Sequence, residues 1–332
     1  MTFMITWFGS IISWCFLEQK NIKKGIIIYA SILTIILLFG NIRLTTPLKK
    51  GSVQISSMHT HDKNLGGSEM WKSRNENDTI AFKKISDKII RDLIKSTSDE
   101  ADTGSKIIVW SEISAEILKS DEADLVEELK SLSKEKGIYL MTNLFTIVPK
   151  GQKSENKILM YDPNGKIALE HFKFGGNFLE GSVAGDKIIK TIETPHGKIS
   201  GIICWDGDFP SIVKQAGKSK TDVLLIPASD WKEIDPLHTI VAIYRGIENG
   251  CSIVRQTRNG LSIMTDPRGK IISQMDHFSA DNWIMKGQVP NKRLWTLYPL
   301  IGDLFGWLAL IGLGIMILSS SKRKKITQNH SH

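Results

Sequence analysis

The chain has 332 residues, 43 Lys and Arg against 35 Asp and Glu, and a formal net charge of +8. Hydrophobic residues make up 41% of it, ordinary for a globular protein, and the length suits one large domain or two small ones. Three cysteines, Cys15, Cys204 and Cys251, have no paired spacing, so they define neither a disulfide framework nor a zinc site, although a Cys204–Cys251 bridge stays open. The basic excess sits largely in flanking lysines, and no aromatic-plus-basic motif appears in the middle of the chain, which argues against a nucleic-acid partner.

The apolar content is concentrated at the two ends. Residues 1–17 (MTFMITWFGSIISWCFL), 25–40 (GIIIYASILTIILLFG) and 297–321 (LYPLIGDLFGWLALIGLGIMILSSS) are strongly apolar. A spanning helix takes roughly 20 such residues, with a lower limit near 17. The first segment has no preceding positive charge and no small-residue cleavage site after it, so it does not read as a signal peptide. The expected organisation is two transmembrane helices as a hairpin in 1–42, a body in 43–296, a C-terminal transmembrane helix in 297–320 and a basic tail in 321–332. Lys20, Lys23 and Lys24 join the first two spans, and Lys322, Arg323, Lys324 and Lys325 follow the third. The positive-inside rule puts both clusters in the cytoplasm, and therefore the body on the outer side.

In the body, SVQIS (52–56 here and on) opens as a strand. The polar stretch 59–78 reads as an exposed loop, and its His59, His61 and Asp62 as loop residues rather than metal ligands. Ile80, Phe82, Ile85, Ile89 and Leu93 recur at helical spacing. SKIIVWSE is an apolar strand ending in Trp110, Ser111 and Glu112, and ADLVEELKSLSKEKG is an amphipathic helix closed by Gly137. IYLMTNLFTIV is the next strand. YDPNGK, ETPHGK and TDPRGK share a Pro-x-Gly-Lys core between apolar runs; Pro presets the first turn position and Gly takes the left-handed one, so each predicts a hairpin turn. DVLLIPASDW is a strand, PLHTIVAIYRGIENG a helix capped by Gly250, and CSIVRQTRNG and LSIMTD are strands. Alternating strands and amphipathic helices define an α/β fold.

Three polar residues stand at the ends of apolar strands: Glu112, Lys173 in EHFKF, and Cys204 in GIICWDGDFP. Strand ends in α/β sheets are where ligands meet the scaffold. Singly, each has a plain structural reading: a solvated Glu, a strand-end Lys, a core Cys. Together they suit one chemistry. A thiol becomes a nucleophile when a base takes its proton, and Glu112 is a candidate base. Lys173 is placed to stabilise the thiolate and then the oxyanion of a tetrahedral intermediate. Cys204 would attack a carbonyl carbon and form a thioester.

The order VWSE, HFKF, GIICWDGDFP resembles the nitrilase (carbon–nitrogen hydrolase) superfamily, and the residues that follow resemble its apolipoprotein N-acyltransferase branch. Those residues are ASDW at 228–231 and a block in which His238, Arg245, Glu248, Arg255, Asn259, Gly260, Asp266 and Gly269 fall where that branch has them. The resemblance implies an α-β-β-α sandwich flanked by transmembrane helices, and a Glu112-Lys173-Cys204 triad. It implies a membrane-bound acyltransferase that takes a fatty acyl chain from a phospholipid and passes it to the N-terminal amine of a lipoprotein. It also implies location in the plasma (inner) membrane, multi-pass, and neither cofactor nor metal. Glu180 matches a further Glu of the branch; Trp205 and Asp206 stand where the branch has Tyr-Glu; Trp231 and Trp71 are candidates for the substrate pocket. Arg245 and Glu248 lie three apart on one helix and read equally as a local ion pair. The same triad would serve an outward-facing amidase, with water as acceptor, or remain in a catalytically degenerate membrane homologue.

Overall fold

The computed structural model describes residues 2–17, 22–48, 50–60, 68–76, 78–148 and 152–329, and the chain divides into two units, Met1–Lys49 and Lys50–His332. The first unit is a pair of helices, α1 (Thr2–Leu17) and α2 (Ile22–Thr45). Trp7 and Phe8 lean on Tyr29, with ring centroids 5.2 and 5.4 Å apart. Among the described side chains of the pair, most other apolar ones, including Ile27, Leu37 and Phe39, are exposed. Among the described residues one helix, Lys23–Thr45, is long and apolar enough to cross a membrane. That departs from the three spans read from the sequence. α1 has 16 residues, which at a rise of about 1.5 Å per residue is about 24 Å against a hydrocarbon core of about 30 Å. The apolar part of the last helix runs only from Leu304 to Leu318. Lys20 of the expected cytoplasmic loop lies outside the described residues, as do the side chains of Lys322 to Lys325.

The second unit runs β1 (Ser52–Met58), α3 (Ser68–Asn75), α4 (Thr79–Asp102), β2 (Ile107–Trp110), β3 (Ala115–Leu118), α5 (Glu122–Lys136), β4 (Tyr139–Ile147), β5 (Glu155–Tyr161) and β6 (Ile167–Phe172). It continues through α6 (Asn177–Glu180), β7 (Thr191–Thr194), β8 (Gly197–Gly201), α7 (Pro210–Lys218), β9 (Val223–Ser229), α8 (Leu237–Asn249), β10 (Ser252–Arg258), β11 (Leu261–Thr265), β12 (Ile271–Asp276) and β13 (Ile284–Pro290). α9 (Tyr298–Ile301) and α10 (Leu304–Asn329) close the chain.

Two sheets form. The first has the order β13-β1-β2-β4-β5-β6, with β3 also on β4; the second has the order β12-β11-β10-β9-β8-β7. β1, β2 and β4 are parallel, as are β8, β9 and β10, and helices make the crossovers that parallel neighbours require. Side-chain alternation explains the layers. In β2, Ile107 and Val109 face the second sheet, while Ile108 and Trp110 face α4 and α5. In β9, Val223 and Leu225 point inward while Leu224 and Ile226 meet α7 and α8. Both faces of each sheet are covered, so the strands read as continuous apolar runs. The result is the α-β-β-α sandwich.

All three Pro-x-Gly-Lys motifs are hairpin turns, joining β5–β6, β7–β8 and β11–β12. Their Gly165, Gly197 and Gly269 have φ of 76°, 104° and 85°, the left-handed region that the motif reserves for Gly. β3, absent from the sequence reading, extends the first sheet beyond Glu112. His59 corrects the exposed-loop expectation: it follows β1 and is buried, with Nδ1 3.1 Å from Ser111 Oγ. His61 and Asp62 lie outside the described residues.

Candidate active site

Glu112, Lys173 and Cys204 converge at one edge of the sandwich, where β2, β6 and β8 end. The Glu112 backbone N–H donates to Ala228 O at 3.2 Å, tying the end of the first sheet to β9 of the second. Lys173 Nζ lies 2.6 Å from Glu112 Oε1 and also pairs with Glu180. Asn156 Nδ2 donates to Glu112 Oε1 at 2.9 Å and to Glu180 Oε2 at 3.1 Å, and Asn143 Nδ2 donates to Asn156 Oδ1 at 2.9 Å. The two carboxylates, the ammonium and the carboxamides thus form one connected, buried network. Burial alone would lower the Lys173 pKa; the carboxylates of Glu112 and Glu180 outweigh it and hold the ammonium above its ordinary value.

Cys204 opens a 3₁₀ turn, Cys204–Asp208, three residues after the end of β8. Its φ is 45°, a left-handed conformation that costs a non-glycine residue on the order of 1–3 kcal/mol and clusters at functional positions. Ile113, next to Glu112, also has a positive φ, 53°. The thiol is buried, and Sγ lies 3.8 Å from Ser229 O. Burial pushes the thiol well above its ordinary pKa; Glu112 adds to this and Lys173 and Arg255 oppose it. The resting group is therefore a neutral thiol beside a paired carboxylate. Cys204 and Cys251 are both free, which settles the open disulfide question.

Trp205 and Trp231 meet as ring neighbours, centroids 6.1 Å apart, and Trp231 is 45% exposed, so it is a surface residue of this region and not core. Gly175 and Gly176 let Trp205 in: a Cβ on Gly176 would stand 2.5 Å from Trp205 Cε3. Asp206 departs from the pocket-lining expectation. It is fully buried, and its carboxylate accepts the N–H groups of Phe174 (3.0 Å), Gly175 (2.7 Å) and Ile203 (3.1 Å) and faces His171 Nε2 at 2.8 Å. With every side committed, it brackets the Lys173 loop to the Cys204 turn and presents nothing to a substrate. Trp71 falls on α3, and its side chain lies outside the described residues. Arg245 pairs with Glu248 on α8, the local pair foreseen.

The sequence reading gave no role to Asn143 or Asn156, and named His238, Arg255 and the Asp230 of ASDW only as matching or pocket-lining positions, not as a connected cluster behind Cys204. In that cluster Asp230 Oδ1 takes Arg255 Nη2 at 2.8 Å and lies 3.2 Å from His238 Nδ1. The available signal was a polar residue inside an apolar strand, Asn143 in YLMTNLFTI and Arg255 in SIVRQTR, since such residues are buried only with partners. Cys204, Asp230 and His238 hold metal-type donor atoms within 4.8 Å of one another. Asp230 Oδ1 and both His238 nitrogens already have polar neighbours, and the Arg255 guanidinium sits on Asp230. This donor set is a hydrogen-bond network, already carrying a positive charge, and fits a cation poorly. A separate cavity of about 550 Å³ lies between α3, α4 and the ends of β3 and β4, lined by Phe82, Leu118 and Ile147, and touches none of the three candidate catalytic residues.

This fold and this constellation define the class. Residues 87–293 match the family described as carbon-nitrogen hydrolase, and the chain belongs to that family. It is 26% identical over 251 residues to apolipoprotein N-acyltransferase of Borreliella burgdorferi, covering 65% of this chain and 48% of the relative. It is 21% identical over 330 residues to the apolipoprotein N-acyltransferase of Geobacter metallireducens, covering 91% and 60%. The chain thus spans about half the length of the curated relatives it matches. Among solved structures it resembles an amidase from Nesterenkonia sp. (TM-score 0.58, 14% identity, 75% of this chain and 94% of that one). It also resembles Saccharomyces cerevisiae Nit3, a member of branch 10 of the nitrilase superfamily (TM-score 0.58, 18% identity, 74% and 92%). At these identities the structures speak for the fold.

Proposed function

We propose that the chain is a membrane-bound acyltransferase that carries a fatty acyl chain on Cys204 from a phospholipid to the N-terminal amine of a lipoprotein. The observation that carries this reading is the strained Cys204 turn set against the Glu112–Lys173–Glu180 network. Glu112 takes the thiol proton as Sγ attacks the ester carbonyl carbon. Lys173 faces the developing oxyanion. Collapse breaks the ester C–O bond, Glu112 returns the proton to the leaving alcohol, and a thioester and a lysophospholipid result. An amine then attacks the thioester, Glu112 accepts its proton, the C–S bond breaks, and the proton returns to sulfur. When Glu112 is protonated, Glu180 still balances Lys173, so the ammonium is never left buried without a partner.

Trp205 and Trp231 are proposed to contact the substrate, and Trp71 to belong to the same pocket. The membrane arrangement belongs to this reading too: helices in 1–42 and 297–320 anchor an outward-facing catalytic body, 43–296, in the plasma membrane, with the tail 321–332 inside. The exposed apolar surface of α2 and of Leu304–Leu318 supports the anchoring. The names of the Borreliella and Geobacter relatives favour an amine as acceptor; the fold shared with the Nesterenkonia amidase keeps water as the second acceptor. Partition of the acyl-enzyme separates them. With a diacylglyceryl-cysteine peptide present, N-acylated peptide should form at least about tenfold faster than free fatty acid, about 1.4 kcal/mol of preference. Free fatty acid alone, with peptide unmodified, would make the chain a hydrolase.

A further inference from the structure

Behind the thiol, His238 on α8 joins two parts of the site. Trp205 Nε1 donates to His238 Nε2 at 3.0 Å. That bond uses a lone pair on Nε2, and in this tautomer Nδ1 carries the ring proton. Nδ1 faces Asp230 Oδ1 at 3.2 Å, and the same oxygen takes Arg255 Nη2 at 2.8 Å. Arg255 Nη1 in turn donates to Thr239 Oγ1 at 2.9 Å, on the same helix as His238. His238 is thus held from behind by a buried acid that is itself fixed by a buried guanidinium. At the front its Nε2 meets the indole of Trp205, the residue after the thiol. Asp208 Oδ2 also stands 3.2 Å from Nε2, so the indole shares that nitrogen with a carboxylate. Trp231 closes the group, its ring centroid 5.7 Å from that of His238.

We infer that His238 is a positioning residue: through the Trp205 indole it sets the width of the site beside Cys204, and so the bulk of the acyl group the thiol accepts. The inference rests on Cys204 being the reactive group of the proposed function, and it needs no lipid to be tested. Chloroacetamide and N-benzylchloroacetamide deliver the same electrophilic carbon with different bulk. Their second-order labelling rates at Cys204, read by intact mass, give a selectivity ratio that is independent of how much protein is active.

His238→Leu removes the acceptor, and Trp205→Phe keeps a ring and removes the donor. Each should shift the ratio by about fivefold in the same direction, the worth of one neutral hydrogen bond. The double variant should shift it no further, and His238→Gln, which offers both an acceptor and a donor, should restore it to within about twofold. Two rates that fall together at constant ratio would give His238 a purely structural role and overturn the inference. Additive shifts in the double variant would overturn it as well. Should His238→Leu fail to fold, an unchanged ratio in Trp205→Phe overturns it alone. Failure of phospholipid to acylate Cys204 would sink the proposed acyl donor and leave this ratio untouched.

Discussion

Cys204 is where the chain stores strain. Its φ of 45° is a conformation that glycine adopts freely and a side chain resists by roughly 1–2 kcal/mol. Cys204→Gly should therefore melt above Cys204→Ala, by about 1 kcal/mol in unfolding free energy, although both abolish reactivity. A Gly variant melting below the Ala variant would remove strain from the account. Asp230 makes a prediction about acid. Burial raises its carboxyl, but His238 and Arg255 overcome that and bring it from 3.8 down to about 2. A depressed folded-state pKa contributes stability that is complete above the unfolded value and lost as pH falls through the folded one. Asp230→Asn should thus cost about 2 kcal/mol at neutral pH, and the gap to wild type should close between about pH 4 and about pH 2. Urea titrations of both proteins across that range measure it; a gap that stays constant would contradict the charged pair.

Elements bring these residues together, and the loop after β6 is the one on which most depends. Gly175 and Gly176 leave space for Trp205, and Asp206 holds the same loop by its backbone N–H groups. Gly176 and Gly181 both have left-handed φ, 76° and 67°, but only at Gly176 does a Cβ meet Trp205. Gly181→Ala should cost the backbone strain alone, about 1 kcal/mol. Gly176→Ala should cost more than that and also alter Cys204 labelling. Equal losses for the two variants, with labelling unchanged, would show that Trp205 does not need this contact. Little of this was legible in the sequence. FGGNFLEG carries no such signal, because a close approach of an indole to a glycine backbone leaves no periodic signature. The hairpins were legible for the opposite reason: Pro and Gly act locally, within four residues, and all three motifs turned as their chemistry requires. Glu112, Lys173 and Cys204 were found through their place at strand ends. Asn143 and Asn156 were passed over, and Arg255 was named only as a matching position, because each sits within an apolar strand and the partners that justify them come from distant parts of the chain.

At the scale of the molecule, two covered sheets account for the continuous apolar runs of the middle of the chain, and exposed apolar helices account for its ends. Hydropathy marked apolar helical ends, but helix length did not follow from it: α1 and the apolar part of α10 are shorter than a standard span, while α2 reaches Thr45, beyond the boundary at 42 that composition suggested. A buried thiol beside Glu112 and Lys173, in a chain that also carries such helices, is what makes lipid acyl transfer the central claim. Its most direct test is the intact mass of the full, detergent-purified chain after incubation with phospholipid, beside Cys204→Ala. The account predicts a mass gain of one fatty acyl chain, released by hydroxylamine and absent from the variant. A folded wild-type protein whose thiol reacts with chloroacetamide yet gains no acyl mass from phospholipid would contradict it.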